Sequence, residues 1–205
     1  MTGRFVTLEG GEGTGKSTQV QSLAAALRER GVEVLQTREP GGSDGAERIR
    51  NLLLHDAHWT PEAEAMLFAA ARADHVASTI RPALEEGIWV LSDRFVDSSL
   101  AYQGKAGGLG FDTIRKLHAI GSHGFLPDRT LLLEVPAAVS RRRADDRDLF
   151  QPDLIGRRNA EYHSAVEEGF HALAEEEPER IRIIDASGKP EEVTARLLAA
   201  LEDLL

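Results

Sequence analysis

The sequence has 205 residues, no cysteine and a formal net charge of −10 at pH 7. This length is sufficient for one α/β domain with a proper core and is short for two, so we expect one domain over residues 1–205. The missing cysteines exclude disulfides and thiol nucleophiles, and the acidic charge argues against binding a nucleic acid polymer through a basic surface.

Apolar runs alternate with amphipathic stretches along the chain. The predicted strands are residues 4–9, 33–37, 89–92, 130–135 and 181–185. The predicted helices are residues 16–30, 45–55, 61–86, 111–123, 136–143, 155–176 and 190–204. Short strands separated by helices predict an α/β fold with a doubly wound, five-stranded parallel sheet, whose ligands bind at the carboxyl ends of the strands.

No apolar stretch approaches the roughly 20 residues that a helix needs to cross a bilayer, and residues 1–9 contain no apolar signal region. We therefore expect a cytoplasmic protein that makes no contact with a membrane.

A glycine-rich loop follows the first predicted strand. Residues 10–17 read GGEGTGKS, a full match to the phosphate-binding pattern G-x-x-x-x-G-K-[ST] between a strand and a helix. Backbone N–H groups of such a loop surround phosphate oxygens, so we expect ATP here, with Lys16 at the β- and γ-phosphates and the Ser17 hydroxyl on Mg²⁺. The residues assigned to ATP in this segment are Gly10, Gly11, Glu12, Gly13, Thr14, Gly15, Lys16, Ser17 and Thr18.

A predicted helix farther along carries an aromatic and a basic residue on one face. Phe68 and Arg72 are four residues apart, which places them on the same side of a helix. An aromatic ring with a nearby guanidinium can stack on a base and bond its edge. The alternative is a core phenylalanine beside a solvated arginine.

Charged residues also end the third predicted strand. Asp93 and Arg94 follow residues 89–92, and an Asp at such a strand end beside a phosphate loop is suited to hold Mg²⁺ or its waters. Arg94 would then clamp a second phosphate. The alternative is a strand-end ion pair or a helix cap.

Residues 141–158, between two predicted helices, form a polar segment that contains charges of both signs and a proline. This composition predicts a mobile flap, and we expect residues 143–156 to form a short lid over the phosphates.

Segments 10–17, 38–42, 66–72, 93–94 and 101–104 occur in an order and spacing that resembles the thymidylate kinase family, over nearly the whole chain. The resemblance implies a P-loop nucleoside monophosphate kinase fold and transfer of the ATP γ-phosphoryl group to dTMP, giving dTDP and ADP in dTTP synthesis. It also implies ATP and Mg²⁺ as cofactors, dTMP and ATP as small-molecule partners, and a homodimer.

The resemblance assigns roles to individual positions in the acceptor site. It implies that Phe68 stacks on thymine, that Arg72 bonds the base edge and that Arg94 holds the dTMP phosphate. Tyr102 would crowd the sugar C2′, and Gln103 would lie by the base. The full set implied for the acceptor side is Glu12, Arg38, Glu39, Arg50, Phe68, Arg72, Arg94, Ser99, Tyr102 and Gln103.

The phosphate loop contains no arginine, so the chain resembles the bacterial group with a catalytic flap arginine. Flaps of that group carry an Asp-Arg pair, whereas the corresponding position here is Leu154. We therefore predict Arg147 as the catalytic flap residue beside Lys16 and Arg94, with Arg143 and Arg157 as alternatives. Arg142 is predicted to bind the adenine of ATP.

Two alternatives remain from the sequence. One is a kinase for another nucleoside monophosphate, such as dUMP, dCMP or GMP. The other is a non-catalytic P-loop nucleotide-binding regulator, although no N-K-x-D pattern for guanine is present. The identity of the preferred acceptor discriminates among them.

Overall fold

A five-stranded parallel sheet forms the centre of the structure, a computed structural model that describes residues 3–56, 59–136, 139 and 158–205. The strands are β1 (Phe5–Glu9), β2 (Val34–Arg38), β3 (Trp89–Asp93), β4 (Arg129–Glu134) and β5 (Ile181–Asp185). Their order is β2-β3-β1-β4-β5, and every neighbouring pair is parallel. The predicted fold class is confirmed, and each strand agrees with its prediction to within one residue at either end.

Helices cover both faces of this sheet. The α-helices within the described ranges are α1 (Lys16–Glu29), α2 (Asp44–Asn51), α3 (Pro61–His75), α4 (Arg81–Glu85), α5 (Val96–Ser99), α6 (Phe111–Ser122), α7 (Ala160–Glu176) and α8 (Pro190–Ala199). Three π-helical segments accompany them, at Leu52–Asp56, Val76–Ile80 and Leu100–Ala106. None of the helices in these ranges is long and apolar enough to cross a membrane.

Two apolar cores lie on opposite faces of the sheet, because neighbouring residues of a strand point in opposite directions. Phe5 and Val90 belong to one core, whereas Val6 and Leu91, the next residues of the same two strands, belong to the other. All five residues of β1 are buried, as expected for the central strand of a sheet covered on both faces.

Several predicted helix boundaries were wrong. The predicted helix 61–86 is interrupted by the π-helical segment Val76–Ile80, and the last helix ends at Ala199 instead of residue 204. The helix predicted from residue 155 begins at Ala160, because the Asn159 side chain caps it by accepting a hydrogen bond from the Tyr162 N–H at 2.9 Å. The helix predicted at 136–143 and the lid at 143–156 lie outside the described residues, apart from residues 136 and 139.

One helical stretch was not predicted. Helix α5 and the π-helical segment Leu100–Ala106 follow β3 directly. A π-helical turn is wider than an α-helical turn and frequently occurs at functional sites. Here it brings the consecutive side chains of Tyr102 and Gln103 to the same cleft at the carboxyl end of the sheet.

Candidate active site

The phosphate loop connects β1 to α1 and depends on glycine where the backbone is crowded. Gly10 has φ of 137°, and a Cβ there would lie 2.5 Å from the carbonyl oxygen of Leu133. The buried Lys16 ammonium donates to the carbonyl oxygens of Gly10 at 3.1 Å and Gly11 at 2.7 Å. Burial, with the nearby Arg94 charge, lowers the pKa of Lys16 to about 8. A bound phosphate would supply the negative charge that favours the protonated ammonium.

The two side chains predicted to hold Mg²⁺ lie side by side. The Ser17 hydroxyl donates a hydrogen bond to Asp93 Oδ2 at 2.6 Å, which joins the start of α1 to the end of β3. A hydroxyl and a carboxylate are the oxygen donors that suit a hard cation. No group of three or more His, Asp or Glu side chains among the described residues could hold a metal alone. A Mg²⁺ bound here would therefore take its other ligands from phosphate oxygens and water.

Arg94 is held in a strained position between the loop and the cleft. Its φ is 72°, a left-handed backbone conformation that is unfavourable for a residue with a side chain. Its Nη1 donates to Gly10 O at 3.1 Å and Ser98 Oγ at 3.0 Å, and its Nη2 donates to Glu12 Oε1 at 2.6 Å. The guanidinium also lies 5.0 Å from the centre of the Tyr102 ring. The chain thus fixes this cation at the boundary of the phosphate loop.

Glu9 supports the turn that carries Arg94, and sequence reasoning did not identify it. Its Oε1 accepts from the backbone N–H groups of Phe95 at 2.7 Å and Ser98 at 3.3 Å, and its Oε2 accepts from the Ser98 hydroxyl at 2.6 Å. Burial, with repulsion from Asp97, raises the pKa of Glu9 to about 8. The sequence pattern that could have identified Glu9 is an acidic residue at the end of an otherwise mostly apolar predicted strand.

A chain of buried hydrogen bonds orients Arg72. Glu39 Oε2 accepts from Arg72 Nε at 2.8 Å, and Glu39 Oε1 accepts from His75 Nδ1 at 3.0 Å. On its far side, His75 Nε2 lies 2.7 Å from the hydroxyl of Thr37. Arg72 Nη2 donates to Ser99 Oγ at 2.7 Å. Both carboxylate oxygens of Glu39, which was predicted to bind substrate, are therefore occupied by protein donors.

Two further predicted residues, Arg38 and Arg50, lie at the other side of the cleft. Arg38 Nη2 donates to both carboxylate oxygens of Glu47, at 2.9 and 3.0 Å. Arg50 Nη1 donates to the carbonyl oxygen of Pro40 at 2.6 Å, and the Glu39–Pro40 peptide bond is cis. Arg38 is thus oriented by a carboxylate of helix α2, and Arg50 by a carbonyl oxygen of the loop after β2.

These side chains meet in one cleft of about 480 Å³. The predicted residues that line it are Glu12, Gly13, Gly15, Lys16, Ser17, Thr18, Arg38, Glu39, Arg50, Phe68, Arg72, Asp93, Arg94, Ser99, Tyr102 and Gln103. Pro40, Leu54, Phe95 and Ser98 also line it and were not assigned from the sequence. Gly10, Gly11 and Thr14 form the loop behind this lining. Four predicted positions, Arg142, Arg143, Arg147 and Arg157, lie outside the described residues.

Comparison with known proteins gives one consistent family. The sequence model of the family described as thymidylate kinase matches residues 8–197. A thymidylate kinase of Rhizorhabdus wittichii is 60% identical over 207 residues, with 100% of both chains covered. A thymidylate kinase of Bradyrhizobium sp. is 44% identical and covers 99% of this chain and 91% of its own. The solved structure of a thymidylate kinase from Ehrlichia chaffeensis superposes with a TM-score of 0.79 at 31% identity, covering 98% of this chain and 100% of that chain.

Proposed function

The chain belongs to the thymidylate kinase family, and from this premise we propose how it transfers the γ-phosphoryl group of ATP to dTMP, giving dTDP and ADP. One observation carries the proposal. A single cleft is lined by Lys16 of the phosphate loop, by Phe68 and Arg72 of helix α3, and by Arg94. Donor and acceptor would meet there, so that positioning and neutralisation of charge supply most of the acceleration.

The nucleophile in this reaction is an oxygen of the acceptor phosphate. Because the second pKa of a phosphate monoester is near 6, the acceptor is largely dianionic at neutral pH and requires no general base. The chemical difficulty is the repulsion between two anions. Lys16 on the donor side and Arg94 on the acceptor side both line the cleft, and their positive charges would reduce this repulsion.

Ser17 and Asp93 are the residues that would hold Mg²⁺. Their 2.6 Å hydrogen bond lies in the same cleft as Lys16. A Mg²⁺ held by these two residues would supply positive charge that neutralises the charge developing on the phosphates. Asp93 would orient water ligands of the ion, and the Ser17 hydroxyl would turn from the carboxylate toward the metal.

The acceptor side is proposed to read a deoxyribonucleotide with a thymine base. Phe68 would stack on the base, Arg72 would donate to its edge, and Gln103 would lie beside it. Tyr102 would restrict space at the sugar C2′. Glu12, which accepts from Arg94 Nη2, would contact the 3′-hydroxyl and the acceptor phosphate site.

Further proposals concern residues outside the described ranges and the oligomeric state of the protein. We propose that Arg147 is the flap cation of the transition state and that Arg142 binds adenine. We also propose one domain over residues 1–205 and a homodimer in the cytoplasm. Support for the dimer comes from α3 and α6, which pack together and expose large apolar side chains, Met66 at 53% and Ile120 at 78%.

The direct test is release of ADP from ATP and Mg²⁺ with a panel of acceptors, namely dTMP, dUMP, dCMP and GMP. We expect dTMP to give the highest kcat/KM, and chelation of the metal to stop the reaction. A higher kcat/KM for another monophosphate would overturn the assignment of the acceptor. ATP binding with no turnover on any of the four would indicate a regulator instead of a kinase.

A further inference from the structure

Gln103 is fixed by a carboxylate that has no assigned role in the site. Its amide nitrogen, Nε2, donates to Glu64 Oε1 at 2.9 Å, from the π-helical segment Leu100–Ala106 to helix α3. Gln103 is 3% exposed and Glu64 is 8% exposed. A hydrogen bond this well shielded from water holds the amide in one orientation.

The chemistry of Glu64 determines which end of the amide it attracts. An ionised carboxylate only accepts hydrogen bonds, so Gln103 must turn its nitrogen toward Glu64 and its carbonyl oxygen away. Arg158 stabilises the negative charge, because its Nη2 donates to the other oxygen of Glu64. The Arg158 guanidinium also lies 4.5 Å from the centre of the Tyr162 ring, so the cation itself is anchored.

The carbonyl oxygen of Gln103 is consequently the group presented to the cleft. The side chain lines the cleft, and Oε1 makes no hydrogen bond with any residue in the described part of the chain. Arg72 lines the same cleft, and its Nε and Nη2 are used by Glu39, Phe95 and Ser99. Among the described residues none accepts a hydrogen bond from its Nη1, which remains for a ligand. At the proposed base site, Gln103 Oε1 is therefore an acceptor and Arg72 Nη1 a donor.

This pair matches one kind of pyrimidine edge. Thymine and uracil carry a carbonyl at C4, which accepts from Arg72, and an N–H at N3, which donates to Gln103. Cytosine reverses both groups, with an amino donor at C4 and a bare nitrogen at N3. A fixed amide thus leaves cytosine with donor facing donor and acceptor facing acceptor.

We propose that Glu64 is a specificity-determining positioning residue, which sets the direction of the Gln103 amide and so excludes 4-amino pyrimidines. The proposal rests on the proposed function, because it requires the acceptor base to lie beside Arg72 and Gln103. Glu64 acts through Gln103 and touches no substrate.

The test is Glu64→Gln, assayed by ADP release with dTMP, dUMP and dCMP. A glutamine at this position can donate or accept, so Gln103 becomes free to turn its nitrogen toward the base. We expect the dTMP to dCMP ratio of kcat/KM to fall about tenfold, the cost of a mismatched buried hydrogen bond. The dTMP to dUMP ratio should not change, because both bases present the same edge.

Arg158→Gln is the matched control. It removes the other partner of Glu64 but keeps the carboxylate facing Gln103, so it should lower the melting temperature and preserve the dTMP to dCMP ratio. Gln103→Met is a second variant, which removes the amide with little change in volume. It should lower the dTMP to dCMP ratio of kcat/KM, and it provides the test if Glu64→Gln does not fold.

Three results would overturn the proposal: an unchanged dTMP to dCMP ratio in folded Glu64→Gln, an unchanged ratio in Gln103→Met, or an equal fall in Arg158→Gln. Failure of the proposed function is distinguishable, since the wild type would then show no preference for dTMP over dCMP.

Discussion

Two buried side chains, Glu9 and His118, are expected to make the free energy of unfolding depend on pH in opposite directions. Burial, reinforced by Asp97, raises the pKa of Glu9 from 4.5 to about 8. Burial, reinforced by Arg72, lowers the pKa of His118 from 6.5 to about 4. The geometry of His118 agrees, since Nε2 lies 2.7 Å from the carbonyl oxygen of Phe125 and the buried Nδ1 has no partner in the described structure.

The sign of each effect follows from which state holds the proton. Between pH 4.5 and 8 the folded protein keeps the Glu9 proton that the unfolded chain releases, so the free energy of unfolding falls as pH rises. Between pH 4 and 6.5 the unfolded chain holds a His118 proton that the folded protein lacks, so the free energy of unfolding rises with pH. Each group contributes up to about 1.4 kcal/mol per pH unit. The two slopes therefore cancel in the wild type from pH 4.5 to 6.5.

Removing either group should reveal the slope of the other. Glu9→Gln keeps an acceptor for the Phe95 N–H, and His118→Gln keeps a donor for the Phe125 carbonyl oxygen. From about pH 5 to about pH 6.5, unfolding free energy should rise by about 2 kcal/mol more in Glu9→Gln than in the wild type. It should fall by a similar amount relative to the wild type in His118→Gln.

Urea denaturation of the ligand-free protein at the two pH values measures both changes. Comparison with the wild type cancels the contribution of all other titrating groups, and the double variant should again parallel the wild type. A Glu9→Gln profile parallel to the wild-type profile would refute the reasoning about Glu9. A parallel His118→Gln profile would do the same for His118.

Three further predictions concern catalysis. Lys16→Ala should lower kcat by about a thousandfold, because the γ-phosphate loses its buried cation, and near-normal ADP release would refute the mechanism. Arg147→Ala should lower kcat by about a hundredfold or more with dTMP binding nearly intact by calorimetry, and an unchanged kcat would move the flap role to another arginine. His75→Phe should raise KM for dTMP about tenfold and leave KM for ATP unchanged, because Glu39 loses the donor that orients it against Arg72; an equal change in both constants would indicate a general structural defect.

Local patterns in the sequence were sufficient to predict the sheet and the position of the cleft. The strands are short apolar runs whose carboxyl ends carry the glycine loop and the Asp93–Arg94 pair, and these signals extend over a few neighbouring residues. The parallel order of the strands then brings those ends to one edge. Lys16, Ser17 and the Asp93–Arg94 pair consequently line one cleft, whereas Tyr102 and Gln103 were assigned to it through the resemblance to the thymidylate kinase family.

The residues behind the cleft could not be predicted in this way. Glu9, Glu64 and His75 resemble ordinary polar residues of strands and helices in the sequence. Their roles depend on partners far away in the chain, such as Gln103 for Glu64, a separation of 39 residues. Packing of α3 against the segment after β3 creates the Glu64 contact, whereas His75 meets the end of β2 and Glu9 meets the segment after β3 from β1. The π-helical turn at Leu100–Ala106 was missed for a similar reason, because no local residue pattern distinguishes it from a loop.

The two arginines that we propose for the acceptor side, Arg72 and Arg94, have carboxylate partners that differ in burial. The Arg72–Glu39 pair is almost fully buried, with side chains 2% and 4% exposed, and breaking such a pair leaves an uncompensated charge at high cost. The Arg94–Glu12 pair is 17% and 18% exposed, and Glu12 lies on the glycine loop at the cleft surface. In the proposed function an incoming dianion would therefore replace Glu12 at Arg94, whereas Arg72 would keep Glu39 and offer a ligand the two N–H groups of its Nη1. A phosphate at Arg94 and a neutral base at Arg72 is the arrangement that these two ion pairs favour.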